Sequence, residues 1–307
     1  LPASDPVLCV LDGVPVVNHP LLAGRVIIDD PDDLGSDTIA NSDLRRHGTA
    51  MASVCVWGDR SLKEPAAQRP VLVRPILTPA LDTIDNREEL PSGVLAPDLM
   101  RRIFRELFTG DGQVPPSAPS VVVISISVGD PAAPFDGIVS SWARTLDWLA
   151  ATYGVIVIVS AGNHTLLPVP GGTSGLLALT GTARAKVVND GVAATNPRRS
   201  LLAPADSING LSVGALNVDG AGDVPITGYQ FDPADGALII NPTSALGAGY
   251  HRSVKPDLVA PGGRSRFLKP VVGEANEVRP AQHAALGPGI KVAAPKGGEA
   301  FTVGTSP

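Results

Sequence analysis

Four short runs in this chain are almost continuously apolar: residues 7–12 (VLCVLD), 71–77 (VLVRPIL), 121–128 (VVVISISV) and 155–160 (VIVIVS). A strand with one wet face alternates apolar and polar side chains. A strand covered on both faces has no need to, so these runs predict inner strands of a parallel sheet. Residues 211–216 (LSVGAL) and 257–260 (DLVA) are shorter candidates of the same kind. Helical patterns lie between them. Residues 48–57 are small and apolar; residues 97–108 place Met100, Ile103, Phe104 and Leu107 three and four apart; residues 138–152 do the same with Val139, Trp142, Leu146 and Leu149. Strand and helix in alternation predict an α/β fold: a doubly wound, mostly parallel sheet flanked by helices, with its functional loops at the carboxyl ends of the strands.

At 307 residues the chain is long enough for one large domain with insertions. Gly (33) and Pro (30) together exceed a fifth of it, while aromatics are 4%, which predicts an aliphatic core inside long turn-rich loops. Two stretches without a clear period, about 166–209 and 262–300, read as surface insertions. The formal charge of −6 offers no basic surface for nucleic acid, and no apolar run approaches a membrane span. Cys9 and Cys55 read as free thiols rather than a disulfide framework, which points to a cytoplasmic rather than a secreted setting. Leu1 in place of Met reads as a processed start. The stop at Ser306-Pro307 reads as incomplete at the C-terminus of a longer protein, since Ser then Pro suits the start of a helix.

The chemistry-bearing residues come in short motifs. Asp12 closes the first apolar run, where α/β sites form, although an Asp opening a turn has the same appearance. His47 in His47-Gly48-Thr49 precedes a helix of small residues that can approach a sheet closely. Asn163 follows Ser160-Ala161-Gly162 at the end of the fourth run, where its amide either caps a turn or donates to an oxyanion. Ser306, in Gly304-Thr305-Ser306-Pro307, takes an N-cap position at the positive end of a helix dipole.

Taken together these motifs resemble those of the subtilisin-like (subtilase) serine proteases. The order Asp12, His47, Ser306 matches the family's triad, and Asn163 its strand-end Asn. The likeness extends to residues 126–129 (ISVG) and 255–262 (KPDLVAPG), so that it runs from about residue 7 to the end. It implies that His47 is a general base, Asp12 its orienting partner, Ser306 a nucleophile and Asn163 an oxyanion donor. It also implies an extended peptide bound along Ser125, Ser127, Val128 and Gly129, with Ala161 and Gly162 opposite.

The departures from the family pattern are Gly13 where Ser or Thr usually follows the Asp, Ala50 for a second His, and Pro307 after the Ser. Asp130 stands where another Gly is common, and would either favour a basic residue before the cut or serve an exposed turn. Six aspartates between 29 and 43 could serve Ca²⁺, as the family often does, but match no calcium-loop spacing and read as a solvated acidic loop. His19, His164, His251 and His283 read as structural or surface residues. The expected partners are a protein or peptide substrate and a regulatory domain or protein. The rival reading is a silent subtilase scaffold serving as an interaction module. A nucleotide-binding domain is set aside for want of a glycine-rich phosphate loop.

Overall fold

The computed structural model describes residues 4–38, 41–80, 87–195, 198–226, 228–281 and 287–307. Along the chain come β1 (Leu8–Asp12), β2 (Val26–Ile28), β3 (Val71–Pro75), β4 (Thr78–Pro79), β5 (Glu88–Glu89) and β6 (Val123–Ile126). They are followed by β7 (Asp130–Pro134), β8 (Ile156–Ser160), β9 (Leu167–Pro168), β10 (Leu202–Ala203) and β11 (Leu211–Leu216). The helices are α1 (Arg46–Trp57), α2 (Ala96–Phe108), α3 (Ser141–Tyr153), α4 (Gly172–Leu177) and α5 (Gly181–Ala194).

The apolar runs form the middle of a seven-stranded sheet in the order Leu258–Pro261, β11, β8, β6, β1, β3, β2. Its neighbours all pair in parallel. The alternation of side chains explains why these runs have no polar face. Cys9 and Leu11 of β1, Ile124 and Ile126 of β6, and Val157 and Val159 of β8 join Met100, Ile103, Phe104, Leu107, Trp142 and Leu146 under α2 and α3. Val10, Val71 and Val73 point the other way, against Ala52 and Val56 of α1. Each such apolar side chain contributes about 1.5–3 kcal/mol over an exposed one. Arg74 is a polar exception in this layer, held between Asp29 (2.9 Å) and Glu106.

Register brings the functional ends together. Leu11 pairs with Ile126, and Ile126 with Val159, so the next residues, Asp12, Ser127 and Ser160, fall in one row at the carboxyl edge. The strands reached after β1 lie on one side (β3, β2) and later ones on the other (β6, β8), which makes this edge a topological switch point.

Several sequence boundaries move. α1 begins at Arg46, so His47 lies inside the first turn rather than ahead of it. α3 begins at Ser141, where the Ser140 hydroxyl accepts from Ala143 N (3.1 Å). The two stretches read as surface insertions carry structure of their own. Residues 166–209 contain β9, α4, α5 and β10, and Leu176, Ala185 and Val188 share an apolar cluster with Phe231, Phe267 and Val278. Residues 262–300 contain strand Ile290–Ala293, which pairs with Glu299–Thr302 and buries Ile290 and Val292 against Ala50 and Met51 of α1. Small residues hid α5, which at 14 residues is no shorter than the helices that were read, and four-residue strands hid the 290–302 hairpin. Cys9 and Cys55 are free thiols, and burial pushes both up to about 12, so neither is a thiolate nucleophile near neutral pH. Among the described residues no helix is long and apolar enough to cross a membrane.

Candidate active site

At the carboxyl end of β1, Asp12 is fully buried. Its Oδ1 accepts from Gly13 N (2.7 Å) and meets His47 Nδ1 at 2.7 Å, while Oδ2 is buried with no hydrogen-bond partner among the described residues. The His47 ring is 34% exposed, so one edge is anchored and the other faces the cleft. Burial disfavours charge on the ring, but the charge and hydrogen bond of Asp12, with the charge of Glu88, outweigh it and push His47 up to about 9.

What lets α1 bring His47 so close is glycine. A Cβ on Gly48 would overlap the carbonyl of Gly13, so helix and strand end are in backbone contact. Above them lies Glu88, which the sequence reading missed. Its carboxylate accepts from His47 N (2.6 Å) and Gly48 N (3.3 Å). Burial first, then the charge of Asp12, push it up to about 7 against the opposing pull of His47 and the two amides. Nothing local in Arg87-Glu88-Glu89 announces this, because the placement comes from β5 folding back along β4.

The other side of the cleft is irregular chain. Gly162 adopts φ 103°, a left-handed conformation that suits glycine, and turns the chain after β8. Asn163 Oδ1 then accepts from Thr305 N (3.0 Å), Thr305 Oγ1 accepts from Gly162 N (3.2 Å), and Gly304 N donates to Gly262 O (2.8 Å). A Cβ on Gly304 would stand 2.9 Å from both Asn163 side-chain termini, so glycine permits this approach. Ser306 follows in coil; its hydroxyl donates to Ser127 O (3.1 Å), and Ser127 Oγ donates to Ser306 O (3.0 Å). No hydrogen bond joins Ser306 to His47 among the described residues.

His47, Glu88, Ser127, Val128, Gly129, Gly162, Asn163 and Ser306 all line one cleft of about 600 Å³. Of the other sequence candidates, Ser125 lies within β6, paired with Val10 and Ile158. Ala161 is fully buried behind the cleft wall. A second residue missed from sequence is Leu202. A Cβ on Gly162 would come within 2.5 Å of Leu202 Cγ, and one on Gly129 within 3.2 Å of its Cβ, so Leu202 fills the space between the two glycines. Asp130 turns its Oδ1 to Ala132 N (2.8 Å), as an ordinary turn aspartate does. One wall of the cleft comes from the hairpin at 290–302, whose Lys296 pairs with Asp43.

The acidic stretch is engaged in protein contacts. Asp30 accepts from Leu34 N (3.0 Å) and Gly35 N (2.8 Å), and Asp32 pairs with Arg102 (2.6 Å). Among the described residues no group of three or more His, Cys, Asp or Glu could hold a metal ion. His19 Nε2 contacts Gly298 O (2.9 Å), His164 Nε2 contacts Ser200 O (3.0 Å), and His251 stacks on Tyr250; His283 lies outside the described residues.

A parallel sheet with helices on both faces, a buried Asp12 bonded to His47 at its carboxyl edge, and Ser306 lining the same cleft as His47 together describe an α/β fold with one polar cleft. The chain belongs to the subtilase family, a family of serine proteases, whose model (Peptidase_S8) matches residues 99–291. That match includes Asn163 but ends short of Ser306 and begins after Asp12 and His47. An uncharacterized protein, y4bN of Sinorhizobium fredii, is 36% identical over 168 residues, covering 52% of this chain; the chain spans 35% of that relative's length. Among solved structures, the prenylagaramide maturation protease PagA is similar over 97% of this chain and 69% of its own, at 19% identity and a TM-score of 0.49. MycP1 from Mycobacterium smegmatis is similar over 99% of this chain and 66% of its own, at 16% identity and a TM-score of 0.40.

Proposed function

We propose that this chain is the catalytic domain of a serine endopeptidase with Asp12, His47 and Ser306 as its triad. The observation that carries the reading is the 2.7 Å Asp12–His47 bond at the wall of a cleft that Ser306 and Asn163 also line. A buried carboxylate on Nδ1 fixes the tautomer that leaves Nε2 free as a base. For the relay to run, the Ser306 hydroxyl must leave the Ser127 carbonyl and donate to Nε2 instead. His47 then takes the hydroxyl proton as Ser306 Oγ bonds to the scissile carbonyl carbon. The Asn163 amide, with Oδ1 already fixed by Thr305 N, and the Ser306 N–H receive the negative oxygen. Collapse breaks the C–N bond, His47 returns its proton to the departing amine, and water hydrolyses the acyl ester by the reverse relay.

The substrate lies extended between residues 127–129 and 160–162, held by backbone hydrogen bonds. Leu202 closes the floor between these walls, which favours a small uncharged residue before the cut. Digestion of a mixed peptide library by the full-length protein, read by mass spectrometry, tests both parts. Cleavage after small residues that disappears in Ser306→Ala is expected. A preference for Arg or Lys would overturn the specificity, and equal cleavage by Ser306→Ala would overturn the mechanism.

A further inference from the structure

α1 starts without a cap of its own. Its N-cap residue is Arg45, whose side chain makes no capping hydrogen bond, so the first N–H groups of the helix have no partner from that source. Two of those donors belong to His47 and Gly48, and both are satisfied by one carboxylate from a distant part of the chain, Glu88 of β5. The fit depends on Gly13: any side chain there would overlap Glu88 Oε2. The carboxylate therefore rests on the strand end that carries Asp12 while holding the helix turn that carries His47. Ordinary helix capping needs only a Ser, Thr, Asp or Asn at Arg45. A cap placed by a separate hairpin, lining the cleft and set beside both members of the Asp–His pair, does something a local cap cannot.

We propose that Glu88 is a positioning residue for His47: its carboxylate pins the backbone of the His47 turn onto the Gly13 strand end and adds negative charge beside the imidazolium. The proposal rests on the catalytic reading of the cleft and goes beyond it by naming a further polar residue on which the base depends. The charged groups bearing on Glu88 are Asp12 from β1 and His47 from α1. Its neighbour Arg87 pairs with Glu89 (3.5 Å), while Asp43 and Lys296 on the cleft wall pair with each other; Arg46 also lines the cleft. Two effects follow and can be separated. Pinning sets how fast a correctly ionised site reacts. Charge sets the pH at which His47 loses its proton and becomes a base, because a nearby anion stabilises the imidazolium and moves that loss to higher pH.

The test uses the full-length protein as wild type, Glu88→Gln and Glu88→Ala, with the rate of fluorophosphonate labelling measured against pH and Ser306→Ala as the blank. Glu88→Gln keeps the shape and one acceptor but loses the charge, so the rising limb of its profile should move to lower pH with a modest loss of plateau. Glu88→Ala loses the pin as well, and its plateau should fall roughly 10- to 100-fold, the scale of a misplaced reacting group. In parallel, the His47 ring is titrated by NMR in Ser306→Ala and in Ser306→Ala/Glu88→Gln, which needs no activity; the second should titrate at lower pH. A wild type that labels while both Glu88 variants match its plateau and its limb would overturn the proposal, as would a His47 titration that does not move. A wild type that never labels would count against the catalytic reading alone, and the NMR comparison would then decide the role of Glu88. Should Glu88→Ala fail to fold, Glu88→Gln still carries both the limb and the titration.

Discussion

Asp12 and His47 stand on a strand of the central sheet and in the first turn of a helix, joined at 2.7 Å, with Glu88 bonded to the backbone of the His47 turn. Asn163 stands on an isolated antiparallel bridge to Ser244 and Ser306 on coil, joined through Thr305, whose N–H meets Asn163 and whose Oγ1 accepts from Gly162 N, with the Ser306 hydroxyl given to Ser127. The first half is fixed by elements that pack on both faces of the sheet. The second is fixed by a few hydrogen bonds between loops. In the proposed mechanism the His47 ring is already oriented by Asp12 before substrate arrives, while the Ser306 hydroxyl must leave the Ser127 carbonyl to meet it. Losses in the first half should therefore be large and insensitive to substrate, and losses in the second should depend on what is bound.

The largest break comes from Asp12→Asn, which keeps the shape but supplies an N–H to Nδ1 and favours the wrong tautomer. Turnover on a peptide substrate should fall about 10⁴-fold with the fold intact, the magnitude known for such triads; a loss under tenfold would mean that Asp12 does not orient the base. Asn163→Ala should cost about 10²–10³ in turnover, a range measured in subtilisin itself. Because Asn163 Oδ1 also anchors Thr305, this variant should lose more with long peptides than with small activated esters; equal losses on both would reduce the residue to an oxyanion donor only.

Gly48→Ala sharpens the comparison on the stability side. Its methyl would collide with backbone at Gly13, and overpacking of this kind typically costs about 1–3 kcal/mol. Denaturant melting should show that loss together with slower labelling, because the collision pushes the His47 turn off β1. Wild-type stability with reduced labelling would separate helix docking from folding.

The last effect is in the pH dependence of stability. His47 is raised above its ordinary value by Asp12 despite burial, so its contribution is fully present below about 6.5 and is lost as pH rises through about 9. Glu88 is raised too, but for a carboxyl this means that burying the charged form costs stability as pH climbs from about 4.5 through about 7. Both slopes run downward with pH. The wild-type denaturation midpoint should fall across these windows, less steeply in His47→Ala above pH 6.5 and less steeply in Glu88→Gln below pH 7. A midpoint that rises over either window would contradict the assignment.

How much of this was readable without coordinates follows the same division between local and distant. Asp12, His47, Asn163 and Ser306 were legible as candidates because each sits in a short motif at a strand end or beside small residues; their roles belong to the proposal. The parallel sheet was legible because burial on both faces leaves a continuous apolar run. Glu88 and Leu202 were not, since one arrives on a hairpin strand from 75 residues beyond Asp12's own neighbour Gly13 and the other fits between two glycines it does not adjoin in sequence. The wall at 290–302 escaped for a related reason: its four-residue strands are too short for a period, and only packing on Ala50 and Met51 gives them a place.

Whether Ser306 is an activated nucleophile is the central claim, and fluorophosphonate labelling of the full-length protein tests it most directly, with the modified residue located by peptide mass spectrometry. A single adduct on Ser306, absent in Ser306→Ala and greatly slowed in His47→Ala, is the predicted result. A folded wild type that takes no adduct, or one whose labelling survives in Ser306→Ala, would contradict it.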